Sequence, residues 1–347
     1  MSFNKFNDEF NNEQEIKIDM PPEEEKSHKK FFSQICCCVL VYILISQGLS
    51  VLSAYFLPEV IKSSDNAAII ISSAIQYLVA FPIFCYMIKK IPVTSAPKTS
   101  KLSLKELLKF LTVTIFLMYL GNYISLLIMS VVEENLGITP ENTIDTVLTQ
   151  TDYIISIVIV GIIGPIVEEM IFRKLLIDRL VPYGERVAVL LPALIFGLVH
   201  GNLYQFFYAF LIGIALSYIY VKTGKMLYTA IIHCFINLFF GVFASYVMSF
   251  IDMEKILELA TDEALFIEYI NANIMSLIPY CIYLVVFYAA MFIGIFNFNK
   301  MIYKFRLEKG KIVFPKGKAL EITMFNPGAI ALITACVILI AISTFSV

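Results

Sequence analysis

The chain has 347 residues, of which 59% are hydrophobic and only 16% charged, with a formal net charge of −2 and a mean hydropathy of +0.80. A typical soluble domain is roughly 45–50% apolar and about 25% charged. This composition therefore excludes a soluble, disordered or disulfide-stapled secreted protein. The absence of a basic stripe interleaved with aromatic residues also argues against nucleic-acid binding.

Residues 1–30 are polar and acidic, which predicts a disordered cytoplasmic tail rather than a signal peptide. Nine apolar segments follow, each near the roughly 20 residues that cross about 30 Å of hydrocarbon. The sequence thus predicts an all-α, polytopic integral membrane protein with eight or nine transmembrane helices. The segments run over residues 32–57, 67–88, 108–132, 153–176, 185–201, 203–221, 226–250, 274–297 and 328–346. Almost no linker joins the fifth and sixth, so we expect a tight hairpin or a partly re-entrant pair.

The charges between these segments predict an orientation. Lysines and arginines gather in alternating loops, over residues 26–30, 89–109, 173–186, 222–225 and 300–318. The opposite loops, over residues 133–152 and 252–268, are acidic. Because basic loops stay on the cytoplasmic side, we expect a cytoplasmic N-terminus, an outer C-terminus for nine spans, and residence in the plasma membrane.

The distribution of ionisable residues within the predicted spans separates the membrane region into three parts. These are N-terminal helices over residues 31–150, a core over 151–245, and C-terminal helices over 246–347. Each ionisable group inside a span costs about 2.5–3.5 kcal/mol on insertion scales, so such groups are candidates for function. Nearly all of them fall in the core. They are Glu168, Glu169 and Arg173 on the fourth span, His200 at the end of the fifth, and His233 with the amide Asn237 on the seventh.

The spacing of these residues follows the helical period. Glu169 and Arg173 are four residues apart and can pair, whereas Glu168 is rotated by about 100° toward another space. His233 and Asn237 share one helix face. Taken singly, the ion pair could be structural, Asn237 could be an interhelical hydrogen-bonding residue, and His200 could be an ordinary helix-end histidine. Their concentration in one block favours a functional site.

Three short motifs carry a resemblance. The segments Glu168–Arg173, Phe196–His200 and His233–Asn237 match EExxxR, FxxxH and HxxxN, in that order. Over about residues 150–245 the chain resembles the CPBP family, named for CAAX proteases and bacteriocin-processing enzymes and also called Abi. The resemblance implies a metal-independent intramembrane endopeptidase of the glutamate type, similar to type 2 CAAX prenyl proteases, with helices around a water-filled cavity and no cofactor.

Peptide hydrolysis needs an activated water and stabilisation of the oxyanion. Glu168 is expected to be the general base, and by resemblance His200 shares its water. His233 and Asn237 are expected to donate hydrogen bonds to the oxyanion, while Glu169 and Arg173 orient these groups. The expected partners are a peptide or protein substrate at the membrane, of the CAAX-tail, pheromone or bacteriocin type, and the lipid bilayer.

Three alternatives stay open. Two histidines and a glutamate could bind zinc with a water, although HExxH is absent. The chain could be a non-enzymatic regulator or a bacteriocin self-immunity protein of the same fold. It could also be an ion-coupled transporter, although inverted repeats are lacking. The predicted spans also leave a problem of depth, because Arg173 lies near the inner end of its span and His200 near the outer end of its own. The two can meet only if span four extends beyond the inner membrane boundary or span five begins deep within the membrane.

Overall fold

The computed structural model describes residues 20–138, 142–303 and 305–345, and every regular element in these ranges is helical. Eight helices are long and apolar enough to cross a membrane, which confirms the predicted all-α, polytopic class. They are Pro22–Phe56, Asp65–Ile88, Leu104–Leu136, Tyr153–Tyr183, Leu203–Thr223, Met226–Met248, Ile274–Ile302 and Pro327–Phe345.

The fifth predicted span is a shorter helix, Glu185–Val199, of 15 residues. At 1.5 Å per residue it is roughly 22 Å long, less than the hydrocarbon thickness. Gly201, at φ +68°, supplies the left-handed backbone that lets the chain reverse directly after it. Helix Leu203–Thr223 then packs back along it. The pair forms the tight hairpin that the missing linker predicts.

Segments from the lysine- and arginine-rich loops meet at one end of the helix bundle, here called the basic end. Lys29 Nζ lies 2.7 Å from Glu321 Oε1, and the Ser100 N–H donates to the Thr223 carbonyl at 2.9 Å. Further ties join Lys222 to Glu185 and the Ile312 N–H to the Pro182 carbonyl. The alternation of charge along the sequence therefore corresponds to a real end of the molecule.

The opposite end, here called the acidic end, brings together one terminus from each of three helices. The Asp152 N–H donates to Asn66 Oδ1 at 2.8 Å, which ties the start of the second long helix to the start of the fourth. The rings of Tyr153 and Tyr246 lie 4.5 Å apart, which adds the end of helix Met226–Met248. The acidic loops flank these contacts.

For residues 22–30 the structure differs from the predicted disordered tail, because the first helix already begins at Pro22. Pairs four residues apart stabilise these early turns: Lys29 with Glu25 at 2.8 Å and His28 with Glu24 at 3.6 Å. The sequence shows this stretch only as polar, so the prediction misses the helix. Residues 1–19 lie outside the described residues.

The depth of the site follows from helix lengths. Helix Tyr153–Tyr183 continues past the predicted end of the fourth span, so Arg173 lies roughly 15 Å from its basic-end terminus. His200 follows the helix that starts at Glu185 and lies roughly 22 Å along it. Arg173 and His200 therefore differ in depth by only about 7 Å, little more than one helical turn, because the fourth helix projects beyond its predicted boundary.

Candidate active site

A cavity of about 560 Å³ lies between the membrane-spanning helices. Its walls include four of the predicted site residues: Glu168, His200, His233 and Asn237. Glu169 and Arg173 are fully buried behind it and do not line it. The predicted residues thus separate into a group that faces the cavity and a pair enclosed in protein.

The helix that carries both carboxylates has an irregular backbone just before them. Residues Ile157–Ile163 form a wide π-helical segment, and Pro165 follows in the next turn. Because proline has no N–H, it cannot donate to the carbonyl of Val160, five residues earlier. The Asn237 Nδ2 donates to that carbonyl at 3.0 Å instead. Asn237 therefore joins its own helix to the irregular turn beside the cavity.

The two adjacent carboxylates have opposite environments. Glu169 is completely buried; its Oε1 accepts a hydrogen bond from His233 Nδ1 at 2.9 Å, and its Oε2 lies 3.1 Å from Arg173 Nε. That second contact is an ion pair without hydrogen-bond alignment. The Arg173 guanidinium also lies over the Phe196 ring, 4.9 Å from its centre. Glu168, in contrast, is 26% exposed and faces the cavity.

His233 lies between the two carboxylates. Its Nδ1 is the donor to Glu169, because an ionised carboxylate can only accept. Its Nε2 lies 3.6 Å from Glu168 Oε2. One imidazole thus hydrogen-bonds the buried carboxylate and lies beside the cavity-facing one, an arrangement that the spacing of the motifs does not reveal.

His200 presents a single ring nitrogen to the cavity. Its Nδ1 lies 2.6 Å from the Phe196 carbonyl oxygen, and since that oxygen can only accept, Nδ1 carries the proton. Nε2 is then the nitrogen available to a water or substrate. The Phe196 ring packs edge-on against His200 at 4.9 Å and against His233 at 5.8 Å. Phe196 therefore organises the site, although the sequence analysis gives it no role.

A hydrogen-bonded chain that the sequence analysis missed lies along the cavity wall. Asn202 Nδ2 donates to the His200 carbonyl at 3.0 Å and to Gln205 Oε1 at 2.7 Å. Gln205 Nε2 donates to the Tyr208 hydroxyl at 2.8 Å. Gln205 and Tyr208 both line the cavity. The three-residue spacing after the helix-capping Asn202 is the signal that could have identified them.

Over residues 20–138, 142–303 and 305–345, no group of three or more His, Cys, Asp or Glu side chains has an arrangement that could hold a metal ion. What the cavity offers is a carboxylate, an imidazole nitrogen and several hydrogen-bond donors. Such groups suit acid–base chemistry on a water.

Fold and cavity together define a helical membrane protein with a polar site between its helices. Residues 150–239 match the family model described as type II CAAX prenyl endopeptidase, Rce1-like, which confirms the resemblance predicted from the three motifs. The UPF0177 protein YxdF of Lactococcus lactis subsp. lactis is 28% identical over 106 residues. That alignment covers 30% of this chain and 59% of the relative. No solved structure matches the chain.

Proposed function

We propose that this protein is an intramembrane endopeptidase that hydrolyses peptide bonds of membrane-associated peptides or protein tails with a water activated by Glu168. The observation that carries the proposal is the division of the two carboxylates. Glu168 faces the cavity with His200, His233 and Asn237, while Glu169 is buried against Arg173. The match of residues 150–239 to an endopeptidase family supports the reaction class.

The attacking water lies between Glu168 and the Nε2 of His200. Glu168 removes a proton as the water oxygen bonds to the carbonyl carbon of the substrate. The Nε2 of His200 accepts a hydrogen bond from the second O–H of the water, because its Nδ1 already donates to the Phe196 carbonyl; this hydrogen stays on the oxygen that joins the new carboxyl group. When the C–N bond breaks, Glu168 returns its proton to the leaving amine. The products are a new carboxyl terminus and a new amino terminus.

Donors for the oxyanion come from two helices. Tyr208 accepts a hydrogen bond from Gln205 and therefore directs its own proton elsewhere, toward the developing negative charge. Asn237 donates one side-chain N–H to the Val160 carbonyl, and its second N–H is available to the oxyanion. Donors aligned before the reaction stabilise this charge without reorganising. Glu169 is assigned to holding His233 in place beside Glu168, and Arg173 to pairing with Glu169.

The proposal is tested with detergent-purified protein and a library of peptides, with products identified by mass spectrometry. Cleavage is expected to survive prolonged exposure to a strong chelator, because no step uses a metal ion. No adduct is expected with added hydroxylamine, because water and not a side chain attacks the carbonyl. Activity lost with chelator and restored by zinc would favour the zinc alternative. A folded protein that cleaves no peptide would favour a regulatory or immunity role.

A further inference from the structure

The cavity lies in the half of the bundle that is remote from the basic end. Its wall includes Asp145 and Leu148 on the short helix Thr143–Gln150, and Ser245 and Met248 at the outer end of helix Met226–Met248. These residues belong to the acidic end, where Asp152 is tied to Asn66. The cavity therefore extends from the level of Glu168 toward the acidic end.

The other half of the bundle is filled. A continuous apolar cluster occupies it, with fully buried side chains that include Phe32, Ile88, Leu176, Leu180 and Ile322. Close-packed interiors of this kind leave no passage for a peptide. A substrate that approaches from the basic end meets this cluster before it meets the carboxylates.

The loops at the acidic end carry a strong excess of negative charge. Only Lys62 and Lys255 are basic there, and Lys255 pairs with Glu258 at 2.8 Å. Asp145 is exposed and contributes directly to the cavity wall. The remaining carboxylates of these loops among the described residues are Glu59, Asp65, Glu133, Glu134, Asp152, Asp252, Glu254, Asp262, Glu263 and Glu268.

We infer that the substrate is a cationic peptide segment that enters the cavity from the acidic end, on the outer side of the membrane. The distribution of lysine and arginine places the acidic end outside. An acidic rim around a low-dielectric cavity concentrates positively charged ligands. The inference rests on the proposed function and adds to it a substrate class: exported peptides or outer segments of membrane proteins that carry lysine or arginine.

Sidedness is tested with right-side-out and inverted vesicles from cells that express the protein, given a membrane-impermeant fluorogenic peptide that contains lysine and arginine. Right-side-out vesicles are expected to cleave the peptide, and inverted vesicles only after detergent opens them. Cleavage by intact inverted vesicles alone would overturn the inference. Cleavage that is absent even in detergent, or independent of Glu168, would instead overturn the proposed function.

A second readout does not depend on cleavage. In Asp145→Cys, a membrane-impermeant maleimide is expected to label right-side-out vesicles above the background of the unmodified protein. Labelling confined to inverted vesicles would place the cavity mouth on the cytoplasmic side and overturn the inference.

The charge preference is tested by reversing one charge at the rim. Asp145→Lys is expected to lower kcat/KM for a cationic peptide about twofold to fivefold at low salt, with the difference lost at high salt. The matched control is Glu23→Lys, which makes the same change on an exposed residue near the basic end. Equal effects of the two reversals, or a preference for acidic peptides, would overturn the cationic substrate class.

Discussion

Two ionic clusters with buried carboxylates lie on the same helix, Tyr153–Tyr183, and their carboxylates Glu169 and Asp178 are roughly 14 Å apart along its axis. In the one nearer the basic end, Asp178 accepts a hydrogen bond from Tyr220 at 2.8 Å and lies 2.7 Å from Lys174. Arg179 donates to the Ile91 carbonyl at 2.9 Å. In this cluster each charged group finds a partner within the protein, and the cluster joins helices to one another.

The cluster of Glu168, Glu169, Arg173 and His233 is arranged differently. Its buried half pairs Glu169 with both Arg173 and His233, yet none of the guanidinium nitrogens of Arg173 has an aligned hydrogen bond to the described residues. Its other half, Glu168, is left to the cavity. A buried charge without full pairing is costly, so the two clusters differ in kind: the groups of one are all partnered within the protein, and the other leaves Glu168 to the cavity.

The largest effect on activity is expected at Glu168. We expect Glu168→Gln to lower kcat/KM about 10²–10⁴-fold, because the amide cannot accept a proton from water. Thermal unfolding is expected to change little, since the side chain faces a cavity and its contact with His233 Nε2 is 3.6 Å long, beyond hydrogen-bond distance. The assay is cleavage by purified, folded variants. Full activity in Glu168→Gln would remove Glu168 from the mechanism.

The enclosed half of the same cluster is tested at Arg173. We expect Arg173→Met to destabilise the protein by about 3–5 kcal/mol, because Glu169 is left as a buried charge with only His233 to pair it. The double variant Arg173→Met with Glu169→Gln removes both charges and should regain much of the loss. Detergent-phase denaturation measures both. An Arg173→Met variant as stable as the parent but inactive would show a direct contact with substrate.

Some of this contrast could be predicted from the sequence and some could not. The four-residue spacing predicts the contact of Glu169 with Arg173, and the structure contains it at 3.1 Å. The contact of His233 with Glu169 joins residues 64 apart in sequence, and only tertiary packing brings them together. The Asn237 bond to Val160 is similarly hidden, although Pro165 signals that a carbonyl needs another donor.

The sequence analysis does not identify the cluster around Asp178, for a simpler reason. The predicted fourth span ends at residue 176, which puts Asp178 in a loop, where a charged side chain is expected. In the structure the helix continues, and Asp178 is 4% exposed. Span boundaries drawn from hydropathy stop at the first charges, so they fail where a buried ionic cluster follows an apolar run.

Tyr208 lines the cavity and is a proposed donor to the oxyanion. We expect Tyr208→Phe to lower kcat about 10²-fold with little change in KM, because a donor to the oxyanion acts only as charge develops. Gln205→Leu removes the residue that directs the hydroxyl and should show a smaller loss in the same direction. Steady-state kinetics on one peptide provide the measurement. A change in KM alone would make Tyr208 a substrate-binding residue instead.

In the cluster around Asp178, a substitution should lower stability and leave catalysis unchanged. We expect Asp178→Ala to destabilise the protein by about 1–3 kcal/mol, because it leaves the buried Tyr220 hydroxyl without an acceptor. The folded fraction should cleave peptides at the parental rate. Tyr220→Phe removes the donor as well and should recover part of the stability in the Asp178→Ala background. A specific loss of activity in folded Asp178→Ala would make the two clusters functionally alike.

The smallest effect is expected where charges pair in water. Hydrogen bonds from Lys29 and then from Lys318, both at 2.7 Å, lower the pKa of Glu321 from 4.5 to about 2. A carboxyl whose pKa is lowered by folding stabilises the protein above its unfolded pKa and loses that effect as the pH falls. Amide exchange in helix Lys318–Met324, corrected for intrinsic rates, should therefore accelerate between pH 4.5 and about 2.

Two variants test the role of Glu321 in this response. Glu321→Gln should flatten the acceleration of exchange, and the exposed control Glu23→Gln should leave it unchanged. Solvent screens such surface pairs strongly, so the change should remain local and leave cleavage and global unfolding unaltered. An equal response in Glu321→Gln would show that other carboxyls anchor the first helix at the basic end.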